Sequence, residues 1–108
     1  MDFQDYQHKA QETAIYPDSY KIIYPALGLA EEAGEVCGKL KKVIRDKHGI
    51  FLAQDVGEIK KEIGDVLWYL AALCTDLEIR LEDVALLNIE KLKKRKEEGC
   101  LGGSGDNR

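Results

Sequence analysis

Only three cysteines, Cys37, Cys74 and Cys100, occur in the 108 residues, and no two share a C-x-x-C spacing. An odd, scattered set excludes a disulfide framework and reads as reduced thiols in a cytosolic protein. Histidine is scarcer still. The two, His8 and His48, follow no glutamate at the Glu-x-x-His spacing that di-iron bundles use. Without clustered Cys or His, zinc is disfavoured as well. The longest apolar run, Val66 to Cys74, is too short to span a bilayer. The stretch Met1-Asp2-Phe3-Gln4-Asp5 has neither the basic start nor the apolar region of a secretory signal. A cytoplasmic protein with no membrane partner is therefore expected. There is no positive excess: 16 Lys and Arg against 20 Asp and Glu leave a net charge of −4, which argues against nucleic acid as a partner. Strand-like alternation is missing along the whole chain.

What is present is helical periodicity. The length suits one domain, and an apolar fraction of 44% supports a modest core. Apolar spacing predicts a first helix from about Phe3 to Ala14, closed by Tyr16-Pro17-Asp18-Ser19. A second starts near Tyr24-Pro25 and continues to about Lys47, with Leu29, Ala33, Val36, Leu40 and Val43 or Ile44 on one stripe. His48-Gly49 stops it, and a loop to about Val56 follows. The third helix, about Gly57 to Leu77, is carried by Ile59, Ile63, Val66, Leu70 and Leu73. The fourth, about Leu81 to Glu98, has Val84, Leu87 and Leu92 inside. Residues 1–98 thus read as a helical domain and 99–108 as a glycine-rich, irregular tail. The expected fold class is all-α, with four helices. A core this small is commonly extended by oligomerisation. Gly34, Gly38 and Gly64 each cost roughly 1 kcal/mol relative to alanine in a helix interior. They are read as points where the second and third helices approach closely.

Two carboxylate pairs stand out. Glu32 and Glu35 lie one helical turn apart on the second helix, and Glu62 and Asp65 do so on the third. If the two helices pack side by side, four acids converge. Like charges that close raise each other's pKa unless a cation sits between them. An all-oxygen cluster suits Mg²⁺ or Mn²⁺, and those ions suit phosphate chemistry. The same spacing also suits a solvated acidic face, with Lys39 and Lys42 as partners of weak surface pairs. On the fourth helix Asn88, Lys91 and Arg95 share a face and could hold a polyphosphate. A basic, solvated helix end, favoured by the helix dipole, is the plainer alternative. Tyr69 lies one turn beyond Asp65 on the same face and could meet a base or sugar, whereas Trp68, Phe3 and Tyr6 read as core.

The stretch Gly28-Leu29-Ala30-Glu31-Glu32-Ala33-Gly34-Glu35-Val36, followed by Glu62-Ile63-Gly64-Asp65-Val66-Leu67, resembles the MazG-like nucleotide pyrophosphohydrolases. These belong to the all-α NTP pyrophosphatase superfamily, which includes dimeric dUTPases and dCTP pyrophosphatases. The pattern E-x-x-E, a spacer and E-x-x-D is matched, and Asn88 to Arg95 is similar to the family's N-x-x-K-L-x-x-R element. The resemblance implies a four-helix bundle assembled as a homodimer or homotetramer. It also implies Mg²⁺-dependent hydrolysis of a nucleoside triphosphate to the monophosphate and pyrophosphate, in nucleotide-pool house-cleaning. By resemblance Glu32, Glu35, Glu62 and Asp65 hold Mg²⁺, with Mn²⁺ as a substitute, and Glu31 is the general base. Lys91 and Arg95 hold the β and γ phosphates, and Asn88 positions sugar or phosphate. Tyr69 and Lys39 are further substrate contacts, with Tyr6, Gln7 and Tyr24 as additional pocket candidates. The tail Gly105-Asp106-Asn107-Arg108 resembles those of some small relatives, which leaves two expectations: closure over a site, its own or a neighbour's, or a disordered tail. Two other readings stay open at this point: a non-catalytic helical interaction module and a phosphoribosyl-ATP pyrophosphatase.

Overall fold

The structure of the protein, a computed structural model, describes residues 1–106. It contains helices α1 (Phe3–Gln11), α2 (Ile23–Lys47), α3 (Ala53–Asp76) and α4 (Leu81–Glu97), with a short 3₁₀ turn at Asp18–Tyr20. No strand occurs among the described residues, so the all-helical architecture is the one the periodicity predicts. No helix among them is long and apolar enough to cross a membrane.

Local chemistry sets the helix ends. Asp2 accepts the Asp5 N–H at 2.8 Å and Asp5 accepts the Asp2 N–H at 3.3 Å, a reciprocal cap on α1. That helix ends at Gln11, earlier than expected, because the Thr13 and Ala14 amides bond three residues back and the chain tightens. The α3 helix begins at Ala53, one turn before the expected Gly57. Asp55 makes the difference. Its carboxylate accepts the Leu52 N–H at 2.9 Å and pairs with Lys47 at 2.6 Å. It thereby satisfies an otherwise free amide of the first turn and ties it to the end of α2.

The α2–α3 hairpin is the main packing unit, and its register can be read from residue pairs. Lys47 meets Asp55 at 2.6 Å, and Lys39 meets Glu58 at 3.9 Å. Glu32 then faces Glu62 and Asp65, Gly28 lies under Tyr69, and the Ile22 N–H reaches Asp76 at 2.9 Å. One number falls as the other rises, so the helices are antiparallel. At the far end Ile22 has φ 71° and ψ −56°, and Ile23 N–H donates to the Lys21 carbonyl at 2.8 Å. This is a γ-turn of the strained kind, with a β-branched residue at its centre. Asp76 clamps it: the same Oδ2 accepts the Ile22 amide and, at 2.7 Å, the Tyr16 hydroxyl. Burial, and then this carboxylate, push the Tyr16 hydroxyl pKa well up.

Helix α1 packs on α3, and α4 leans on α1 and α3. Ala10, Ala71, Cys74 and Leu81 form the buried centre, with Tyr6, Leu67 and Trp68 against it. This core is smaller than the apolar stripes predict. Leu87 is 68% exposed, and Val84 and Leu92 are exposed too, although all three were expected inside. The reason is placement: of the apolar residues of α4 only Leu81 is buried, and the described residues leave Val84, Leu87 and Leu92 uncovered. On α2 it is Val43 and not Ile44 that is buried, and on α3 Ile63 is exposed. The radius of gyration, 16.9 Å, exceeds the roughly 13 Å of a compact chain of this length.

The glycine expectation is overturned. A Cβ on Gly34, Gly38 or Gly64 would meet nothing within 4 Å, whereas one on Gly28 would collide with the Tyr69 ring. The first three point away from the packing partner, and the close approach occurs two turns nearer the start of α2. Gly99, with φ 70°, stops α4 as a left-handed residue does. Beyond it Gly103 and Gly105 also have positive φ, which lets the chain turn back. Of the tail quartet, Asn107 and Arg108 lie outside the described residues.

Candidate functional site

The hairpin register brings three carboxylates together. Oxygens of Glu32, Glu62 and Asp65 lie within 4.8 Å of one another. Glu62 and Asp65 sit one turn apart on α3, and α2 delivers Glu32 opposite them. Glu32 and Glu62 are half-buried and Asp65 is exposed. The Glu32 carboxyl is pushed above the usual carboxylate range. Partial burial is the first cause, followed by the charge of Asp65, the adjacent Glu62 carboxyl and the charge of Glu31. The cluster therefore has an excess of negative charge that a cation would relieve.

Glu35, the fourth acid of the sequence pattern, is exposed and is not part of this group of oxygens. Glu31 is also exposed. Its charge acts on both Glu32 and Tyr69, so it lies near both. Lys39 is paired with Glu58 at 3.9 Å, further along the hairpin.

An aromatic wall adjoins the acids. Tyr69 rests on the bare backbone of Gly28. Trp68 meets it edge-on at 5.0 Å, and Tyr24 lies 6.4 Å away, itself stacked on Tyr16 at 4.7 Å. The Tyr69 hydroxyl pKa is raised by burial, then by Tyr24, then by the Glu32 and Glu31 charges. Tyr6 is raised by burial and then by Asp65, which puts α1 at the edge of the same cluster. Gln7 has a different part. It donates to Thr75 Oγ1 and the Ile79 carbonyl and accepts the Leu81 N–H at 2.8 Å, stapling α1 to the α3–α4 turn. Tyr16 and Asp76 escaped the sequence reading, because Tyr16-Pro17 signals only a helix stop and a lone Asp on α3 has no partner in its own turn.

Gly28→Ala should displace the Tyr69 ring and destabilise the fold by about 1–3 kcal/mol, the usual range for overpacking. Urea unfolding checks this, and unchanged stability would mean that the ring swings aside freely.

The α4 residues are not joined to the acids among the described residues. No hydrogen bond or ion pair links Asn88, Lys91 or Arg95 to α2 or α3 among the described residues. Asn88 is exposed. Lys91 and Arg95 bind the tail instead, through Asp106.

The family model of the MazG nucleotide pyrophosphohydrolase domain matches residues 25–100, a span that contains both acidic pairs and the α4 cations. The Gene 37 protein of Mycobacterium phage L5 is 43% identical over 109 aligned residues, covering 95% of this chain and 96% of that protein. No solved structure matches the chain.

Proposed function

The chain belongs to the MazG nucleotide pyrophosphohydrolase family, and on that premise we propose that it converts a nucleoside triphosphate to the monophosphate and pyrophosphate with Mg²⁺. The observation that carries this reading is the convergence of Glu32, Glu62 and Asp65 across the hairpin. The donor set fits the ion: it is all oxygen, anionic and without nitrogen or sulfur. Mn²⁺ suits the same donors. Glu35 joins them in this reading, since it lies one turn from Glu32 on the same helix. A divalent cation held there supplies the positive charge that the phosphate oxygens and the pyrophosphate leaving group require.

The chain's own residues do the rest. Glu31, beside the acids and exposed, accepts the proton of the attacking water. Tyr69 and Tyr24 wall the base or sugar, and Gly28 sets how closely the Tyr69 ring approaches α2. Lys91 and Arg95 neutralise the β and γ phosphates, Asn88 positions the sugar or phosphate, and Lys39 is a further contact once it leaves Glu58. The exposed apolar residues of α4 and the open shape of the protomer support a homo-oligomer. Burial of apolar surface is worth about 25 cal/mol per Å², and a stable interface removes about 1,600 Å² in total. Light scattering at micromolar protein should report a dimer or tetramer. A monodisperse, active monomer would end that part of the reading.

The test of function is a panel of ribo- and deoxyribonucleoside triphosphates, with phosphoribosyl-ATP beside them, assayed for pyrophosphate. Mg²⁺-dependent release from a nucleotide is the expected result. No release from any nucleotide would favour a helical interaction module, and turnover from phosphoribosyl-ATP alone would move the substrate assignment there.

A further inference from the structure

The glycine-rich tail returns onto α4 and meets the two cations assigned above to the phosphate chain. One oxygen, Asp106 Oδ1, accepts from Lys91 Nζ at 3.0 Å and from Arg95 Nη2 at 3.2 Å. The Asp106 carbonyl accepts from the same Arg95 nitrogen at 2.8 Å, and the Gly105 carbonyl does so at 3.3 Å. A single anionic oxygen bridging an ammonium and a guanidinium is the arrangement a phosphate oxygen would adopt there. Exposure is unequal across this contact. Arg95 is buried, at 5% exposed, while the Asp106 side chain is 80% exposed. The tail therefore covers the guanidinium from the solvent side. The carboxyl of Asp106 is held below its usual range by Lys91 first and Arg95 second, so it is anionic at neutral pH.

We propose that the tail is a built-in competitor: Asp106 occupies the Lys91–Arg95 pair, and a polyphosphate reaches that pair only by displacing it. The idea rests on the assignment of these cations to substrate phosphates. It explains how a cation can be buried and yet serve a charged ligand. The arm is suited to opening. Four of the seven residues from Gly99 to Gly105 are glycine, and Gly99, Gly103 and Gly105 have positive φ, so the backbone turns with little steric resistance. Ion pairs with an exposed partner are weak, so the closed arm is favoured over the open one by only about three- to tenfold. The apparent affinity for a phosphate ligand is lowered by the same factor, because only the open fraction binds. Pyrophosphate, with several charges against one carboxylate, wins at modest concentration.

The experiment is a calorimetric titration of inorganic pyrophosphate into the full chain in EDTA, with wild type, Asp106→Asn and Lys91→Gln compared. Without divalent ions the acidic cluster offers pyrophosphate nothing, so the titration reads α4 alone. Asp106→Asn should bind about three- to tenfold more tightly, and Lys91→Gln more weakly. In wild type, pyrophosphate should speed amide hydrogen exchange at residues 101–106, a readout that needs no variant. Equal or weaker binding by Asp106→Asn overturns the proposal, as do unchanged tail exchange and absence of binding to every form. Since no turnover is measured, a chain that hydrolyses no nucleotide can still pass. An active enzyme whose Asp106→Asn variant binds pyrophosphate no better sinks the competitor alone.

Discussion

Glu62→Gln should slow pyrophosphate release by about a thousandfold while making the metal-free protein more stable. The two effects have one cause. Glu62 is half-buried, and its carboxylate lies within 4.8 Å of the Glu32 and Asp65 oxygens. In the presence of a cation its charge is an attraction. A unit pair at 4 Å and an effective dielectric near 20 is worth about 4 kcal/mol, which corresponds to a rate loss of about a thousandfold. Without the cation the same charge is a repulsion, and it raises the pKa of Glu32. Glutamine removes the repulsion and keeps the side chain's shape. The melting temperature of the metal-free variant should therefore rise. The further rise that Mg²⁺ gives the wild type should shrink, since ligand-induced stabilisation follows affinity. Pyrophosphate release and melting curves with and without Mg²⁺ test both halves. Wild-type turnover in the variant, or an undiminished Mg²⁺ shift, would remove Glu62 from the cation site.

Glu31→Gln is the second large effect, and it separates catalysis from metal binding. Glu31 is exposed, outside the group of three oxygens, yet near enough for its charge to act on Glu32 and Tyr69. Glutamine keeps its shape and cannot take a proton. Turnover should fall by roughly 10²–10⁴-fold, the range for loss of a general base. The Mg²⁺-induced melting shift should stay near that of the wild type. Near wild-type kcat would take Glu31 out of the mechanism. A lost Mg²⁺ shift would instead make it a ligand.

Glu62 is a residue that spacing alone singles out, whereas Glu31 stands outside the two pairs and is marked by the family resemblance. Residues three apart share a helix face, so Glu62 and Asp65 were bound to lie together on α3, and Gly28-to-Val36 carries its acids on one side of α2 in the same way. Other features rest on contacts between distant residues. Asp76 is one acid among 20 Asp and Glu until the fold sets it against Tyr16 and Ile22, 60 and 54 positions away. Gly28 reads like any helical glycine until Tyr69 is laid on it. Gly34, Gly38 and Gly64 read as contact points and face open space, because propensity marks a glycine as unusual without saying which way its missing side chain would point.

The sequence by itself therefore determined the helices, their approximate ends, the absence of strands and the two acidic pairs, since each depends on interactions within a few turns of one segment. Only the tertiary structure decided the antiparallel register that sets Glu32 against Glu62 and Asp65 and leaves Glu35 outside their group. It alone placed the Tyr16–Tyr24–Tyr69 wall, left Val84, Leu87 and Leu92 uncovered, and laid Asp106 on Lys91 and Arg95. Periodicity reports which face of a helix is apolar or charged. Which partner meets that face depends on how the helices are joined and how much surface they jointly bury, and no single segment contains that information.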